Sequence, residues 1–222
     1  MIKIRIFNGM LAMGPILIGL IPFALSVGVF GTEKGLAVWQ SVALSLIVFA
    51  GASQVAMIDL LAQSAPIWII VSTALLINLR FLVFSATLSA HVKDASPFVR
   101  VFLSYTLVDQ MLLIINDKAK SDKTYEWVGA GIVTALFWHS CVFIGAYFGS
   151  LIPEYLSLKF VLPVLFLFFG VSMLETRAHI VSAITTCLFI LLLYPIMPLG
   201  SGLMSAIIIG AIAGIASKRI NI

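Results

Sequence analysis

A succession of apolar runs of membrane-crossing length constrains this chain most, at about 7–30, 38–61, 66–90, 98–116, 126–150, 157–174, 179–195 and 199–216. A helix needs roughly 20 apolar residues to cross the hydrocarbon of a bilayer. The sixth and seventh runs fall at the short end of that range, so the count is seven or eight. Inside lipid every backbone N–H and C=O must be paired by the protein, which leaves helices or a closed barrel. No alternating strand pattern supports a barrel. The expectation is an all-α integral membrane protein, a polytopic bundle of about 7–8 transmembrane helices, organised as one transmembrane domain over 1–222.

Composition agrees. Hydrophobic residues make up 62% of the chain and charged ones 10%, and the mean hydropathy is +1.17. A soluble domain carries about 25% charged residues, and so few charges could not cover a water-facing surface. The net charge of +4 does not mark a nucleic-acid partner, because the basic residues are scattered. They read as charges that set topology. With eight spans and the N-terminus inside, Lys3, Arg5, Lys118, Lys120, Lys123, Arg177, Lys218 and Arg219 lie in the cytoplasm, and Lys34, Lys93, Arg100 and Lys159 lie opposite. Eight against four places both termini inside, with Asp117–Glu126 as a cytoplasmic loop. The basic start resembles a signal peptide, but the apolar run after it is long and lacks a small-residue cleavage site, so it reads as a retained first span. Cys141 and Cys187 lie in apolar runs without metal-type spacing and read as small buried hydrophobes.

Within this apolar majority a few residues are in the wrong solvent. Gly14, Pro15, Gly19, Pro22 and Gly28 all fall in the first span. Each proline removes a backbone donor and crowds the preceding turn, and broken helices of this kind build solute sites in many transporters. The first helix is therefore predicted to be broken at Gly/Pro, with a simple kinked helix as the other reading. Arg80, Asp109 and His139 fall near the middles of the third, fourth and fifth spans. Insertion scales put such an Arg or Asp at roughly 2.5–3.5 kcal/mol, so these residues face the bundle interior and find partners. Arg80 and Asp109 either pair to hold helices together or line a path, where a zwitterion would set its carboxylate near Arg80 and its ammonium near Asp109. Asn78 precedes Arg80 by two residues, about 200° around a continuous helix, so the two face one ligand only if that helix is distorted.

His139 is a candidate proton relay, since imidazole titrates near neutral pH; a hydrogen-bonded packing role is the alternative. Ser53 and Gln54 follow the small pair Gly51-Ala52 and serve either helix–helix hydrogen bonding or solute contact. Gly145-xxx-Gly149 and Gly210-xxx-Gly214 match the close-packing pattern of membrane helices, with packing inside the chain as the default. No Walker A loop is present, so the chain has no ATP engine of its own. Gly200-Ser201-Gly202 faintly resembles an intramembrane-protease serine motif, but all three His precede it and they lack metal-ligand spacing. No catalytic residue, metal site or cofactor is expected.

These positions together form a pattern. Gly14-Pro15-x-x-x-Gly19-x-x-Pro22-Phe23, Phe49-Ala50-Gly51-Ala52-Ser53-Gln54 and Asn78-Leu79-Arg80 resemble the AzlC family of branched-chain amino acid permeases. Thr106-Leu-Val-Asp109-Gln110 is similar to a looser family motif. The likeness spans the chain in length and hydropathy, and its specific motifs lie in the first half. Phe81 stands where the family often has His, and Gln110 where an acid is common; both leave Arg80 and Asp109 in place and bear on substrate identity and proton coupling.

The resemblance implies the larger subunit of a two-component exporter of valine, leucine and isoleucine, with a small AzlD-type membrane subunit as partner. It carries Gly14, Pro15, Pro22, Phe23, Ser53, Gln54, Asn78, Arg80 and Asp109 over as the substrate-binding set. The expected function is a secondary transporter exporting branched-chain or similar aliphatic amino acids across a prokaryotic cytoplasmic membrane, coupled to protons. A scaffold subunit of a membrane complex and a passive small-solute channel stay open as alternatives, as does assembly with a second copy of the chain.

Overall fold

The computed structural model describes residues 2–89, 92–115, 123–149, 151, 163, 164, 167, 170, 171, 174–193, 195–197 and 201–220. Among them all regular structure is helical. In order these helices are α1 (Ile2–Glu33), α2 (Val38–Ile47), α3 (Gly51–Ala62), α4 (Ile67–Ile77), α5 (Arg80–Ser89), α6 (Pro97–Tyr105), α7 (Asp109–Ile115), α8 (Thr124–Gly149), α9 (Arg177–Leu193) and α10 (Ser201–Ile220). Most of the sixth apolar run and most of the loop expected at Asp117–Glu126 lie outside the described residues. Three of the helices are long and apolar enough to cross a membrane, or four if the α4–α5 pair counts as one span. The chain forms two compact units, one of Met1–Val55 and Ile77–Leu156, the other of Ala56–Leu76 and Ser157–Ile222.

The first helix corrects the sequence reading. α1 runs for 32 residues without interruption, with Pro15 and Pro22 inside it. The prolines deprive only the Leu11 and Ile18 carbonyls of their helical donors, and the turns on either side still close. Both prolines lie on the exposed face. Ser26 adds support from below, its hydroxyl donating to the Pro22 carbonyl at 2.7 Å. The helix ends where Gly35 takes a left-handed conformation at φ 90°. Gly35 N–H donates to the Thr32 carbonyl and Leu36 N–H to that of Gly31, each at 3.0 Å, which closes the orphan carbonyls of the last turn.

In the first unit α1 packs along α8 through glycine. A Cβ on Gly9 would overlap the Glu126 backbone, and one on Gly129 that of Ile6. Further along, Gly28 abuts Val142 and Gly145 abuts Leu25 in the same way. Such contact brings two backbones together and is how membrane helices gain packing energy where lipid removes the hydrophobic drive. The N-terminal ends meet each other and so do the C-terminal ends, so α1 and α8 run parallel. Two parallel spans require an odd number of crossings between them, and the chain between them holds three helix pairs, α2–α3, α4–α5 and α6–α7. α8 also packs against α2, α6 and α7.

Each of these pairs is a single apolar run interrupted near its middle. The interruptions are Val48-Phe49-Ala50, Asn78-Leu79 and Thr106-Leu107-Val108. In the second unit, α9 and α10 pack as an antiparallel hairpin, with Gly210 against Thr186 and Gly214 against Ser182. A smaller cluster there joins Leu60, Ile69 and Ile70 with Met57 and Met204. Cys141 is buried but Cys187 is exposed, on the apolar surface of α9. Trp39 and Trp68 stand exposed in the first turns of α2 and α4, where their amphipathic rings suit the edge of a bilayer.

Candidate functional site

The polar residues collect at the three interruptions. α3 begins at Gly51 and carries Ser53 and Gln54 in its first turn; α5 begins on Arg80 and α7 on Asp109. At the first interruption Ala50 N–H donates back to the Val48 carbonyl at 2.9 Å. Gln54, only 1% exposed, turns back so that its Nε2 also donates to Val48 O. A carbonyl can only accept, so this contact fixes the orientation of the amide. Its Oε1 is left buried and, among the described residues, without a partner. Gly51 is required by close approach here, since a Cβ would lie 2.6 Å from the Phe23 ring and 2.7 Å from that of Trp138.

At the second interruption Phe81 N–H donates to the Asn78 carbonyl at 2.9 Å, starting α5 afresh. The objection that Asn78 and Arg80 point apart holds only for a continuous helix, and this one is not. Asn78 reaches the first interruption, its Oδ1 lying 3.2 Å from the Ser53 hydroxyl. That hydroxyl is also 3.0 Å from the Ala50 carbonyl, and with one proton it donates to one of the two at a time. Arg80 reaches the third interruption, where its Nη1 meets Asp109 Oδ2 at 2.7 Å. The pair is incomplete. Among the described residues Arg80 Nε and Asp109 Oδ1 are buried and find no hydrogen-bond partner. In a low-dielectric setting such atoms are costly unless something else pairs with them.

His139, on α8, sits beside these groups in a closed network. Its Nδ1 is 2.9 Å from Ser45 Oγ and its Nε2 is 3.3 Å from the Tyr105 hydroxyl. Tyr105 in turn donates to the Leu46 carbonyl at 2.8 Å. That spends the only phenolic proton, so Tyr105 accepts from Nε2–H, while Nδ1 and the Ser45 hydroxyl share a hydrogen bond that either can donate. Phe49 packs on the same ring with centroids 5.0 Å apart. Tyr105 ends α6 and Leu46 lies in the last turn of α2, so the network ties the lead-in halves of two interrupted runs to α8.

The structure therefore brings Ser53, Gln54, Asn78, Arg80 and Asp109 to three adjoining breaks, with His139 beside them. Phe23 joins through Trp138, edge-on with centroids 5.4 Å apart. Gly14, Pro15 and Pro22 are not brought in; a Cβ on Gly14 would meet nothing within 4 Å.

A family model described as "AzlC protein" matches residues 15–152, a stretch that holds all three interruptions and α8. The chain belongs to the AzlC family. Among curated relatives it is 28% identical over 174 residues to the inner membrane protein YgaZ of Escherichia coli, covering 73% of this chain and 71% of that one. It is 27% identical over 182 residues to an uncharacterized membrane protein of Archaeoglobus fulgidus, covering 80% of each chain. No solved structure matches the chain. Membership makes this a membrane protein and is consistent with a permease-type role. In this AzlC chain Ser45, Tyr105 and Trp138 were not singled out from sequence, and Phe49 only as part of a motif, because Ser and aromatic residues are ordinary in membrane helices and only the folded contacts distinguish them.

Proposed function

We propose that this AzlC protein is the larger subunit of a secondary transporter that exports branched-chain or similar aliphatic amino acids across the cytoplasmic membrane of a prokaryote. Both termini are cytoplasmic, a small AzlD-type subunit is the partner, and a proton gradient supplies the driving force. The incomplete Arg80–Asp109 pair carries this reading. A zwitterion has a carboxylate to accept from Arg80 Nε and an ammonium to donate to Asp109 Oδ1, the two atoms that lack partners. A pair serving only as a brace would gain from being fully satisfied. The breaks also allow the halves of each run to tilt separately, as rocking transport requires.

Counterflow in proteoliposomes tests the reading, with radiolabelled valine, leucine, methionine and a sugar control, with and without the small subunit. Saturable uptake of the aliphatic amino acids and none of the sugar is expected. Uptake that never saturates would point to a channel, and no uptake with the small subunit present would overturn the proposal.

A further inference from the structure

A cleft of about 540 Å³ lies between α5 and α6, apart from the Arg80–Asp109 pair, which does not line it. Leu82, Ser85, Ala86, Leu88 and Ser89 line it from α5, and Val92 from the connection that follows. Leu82, Ser85, Ala86 and Ser89 are spaced along one helix face. On α6 the wall is Arg100 and Ser104, one turn apart, and Lys93 closes the end where the α5–α6 connection emerges. The three serines offer little polarity. Ser85, Ser89 and Ser104 donate to the carbonyls of Leu82, Ala86 and Arg100 in their own helices, at 3.0, 2.8 and 2.9 Å. The wall thus behaves as apolar along its length and becomes cationic at one end. From Leu82 to Ser89 it rises about 10 Å, within one leaflet's half of a hydrocarbon core about 30 Å thick.

Around the cleft the hairpin exposes Leu82, Val83, Phe98 and Val101, each by more than 65% at 67, 68, 89 and 71%. Such an exposed apolar surface suits contact with lipid. Neither Lys93 nor Arg100 has an ion pair among the described residues, and no carboxylate lines the cleft; Asp94, beside Lys93 in the connection, is exposed and outside the lining.

The geometry points to a seat for one anionic phospholipid, its phosphate against Lys93 and Arg100 and an acyl chain along the Leu82–Ser89 stripe. Charge selects the lipid. A zwitterionic headgroup would bring its own cation up to these two, whereas an anionic one brings none. The apolar stripe distinguishes a lipid from a free phosphate, which would gain nothing from it.

The purified chain in neutral detergent is titrated with phosphatidylglycerol, phosphatidylcholine or glycerol 1-phosphate while its Tm is followed. Phosphatidylglycerol is expected to raise Tm by several degrees more than phosphatidylcholine, and glycerol 1-phosphate to leave it unchanged. The double variant Lys93→Gln/Arg100→Gln should lose the preference and keep its Tm in phosphatidylcholine. Ala86→Phe, which blocks the stripe and spares both cations, should lose it as well and covers the case of a poorly folded double variant. Equal shifts with the two lipids, a preference that survives both variants, or a full shift with glycerol 1-phosphate alone would each overturn the proposal.

Discussion

α1 and α8 are continuous helices whose backbones touch through Gly9, Gly28, Gly129 and Gly145; the three runs between them are each broken and hold nearly all the misplaced polar residues. One region is built for close packing, and its two helices run uninterrupted although α1 carries two prolines. The other gives up helical bonds at three places and replaces them with side chains. The difference separates two jobs. The glycine-packed pair holds the bundle, and the breaks present polar groups where a continuous helix would hide its backbone.

The largest effect is expected from the packed pair. Gly28→Leu would drive a side chain into the Val142 backbone of α8, and backbone cannot yield as a side chain does. Folded protein in the membrane should fall to near nothing, measured by fluorescence-detected size exclusion of a tagged chain. Full abundance with normal transport would show that the pair can open without harm and would erase the contrast.

A smaller loss is expected at the first break. Gln54→Leu keeps much of the volume but takes the donor from Val48 O, leaving a buried carbonyl one partner short at about 1–3 kcal/mol. Thermal unfolding should show the drop, and transport should fall further than stability does. The reverse order would make Gln54 a brace and no more. Tyr105→Phe is milder, removing one hydroxyl from the Leu46 carbonyl and His139 for about 0.5–1.5 kcal/mol. Its expected signature is a changed maximal transport rate at unchanged half-saturating solute, since the network positions α2 and α6 and touches no solute.

The helical bundle was legible in the sequence because apolar length and charge scarcity leave few alternatives. Arg80 and Asp109 were legible because a charge at that depth must find a partner, and they found each other. The breaks were not. Glycine and proline pointed to α1, yet a proline subtracts only one bond, and nothing pulls the backbone of α1 out of line. Val48-Phe49-Ala50 and Thr106-Leu107-Val108 hold no helix breaker. The first opens where Gln54 turns back on the Val48 carbonyl from six residues on and Tyr105 reaches the Leu46 carbonyl from another run, and the second of these contacts is tertiary. Asn78 shows the same limit, since its angular relation to Arg80 could be worked out only by assuming the continuous helix that the structure lacks.

The most direct test compares function and stability in one variant at the meeting of two breaks. Arg80→Gln, reconstituted with the proposed small subunit, is assayed for valine counterflow while its Tm is measured in the same preparation. The account predicts that counterflow falls at least about a hundredfold, near 2.7 kcal/mol at 1.36 kcal/mol per decade, and that Tm stays within a few degrees of the unmodified chain. Normal counterflow, or a collapse of Tm that accounts for the lost transport, would contradict it and return Arg80 and Asp109 to the role of a structural brace.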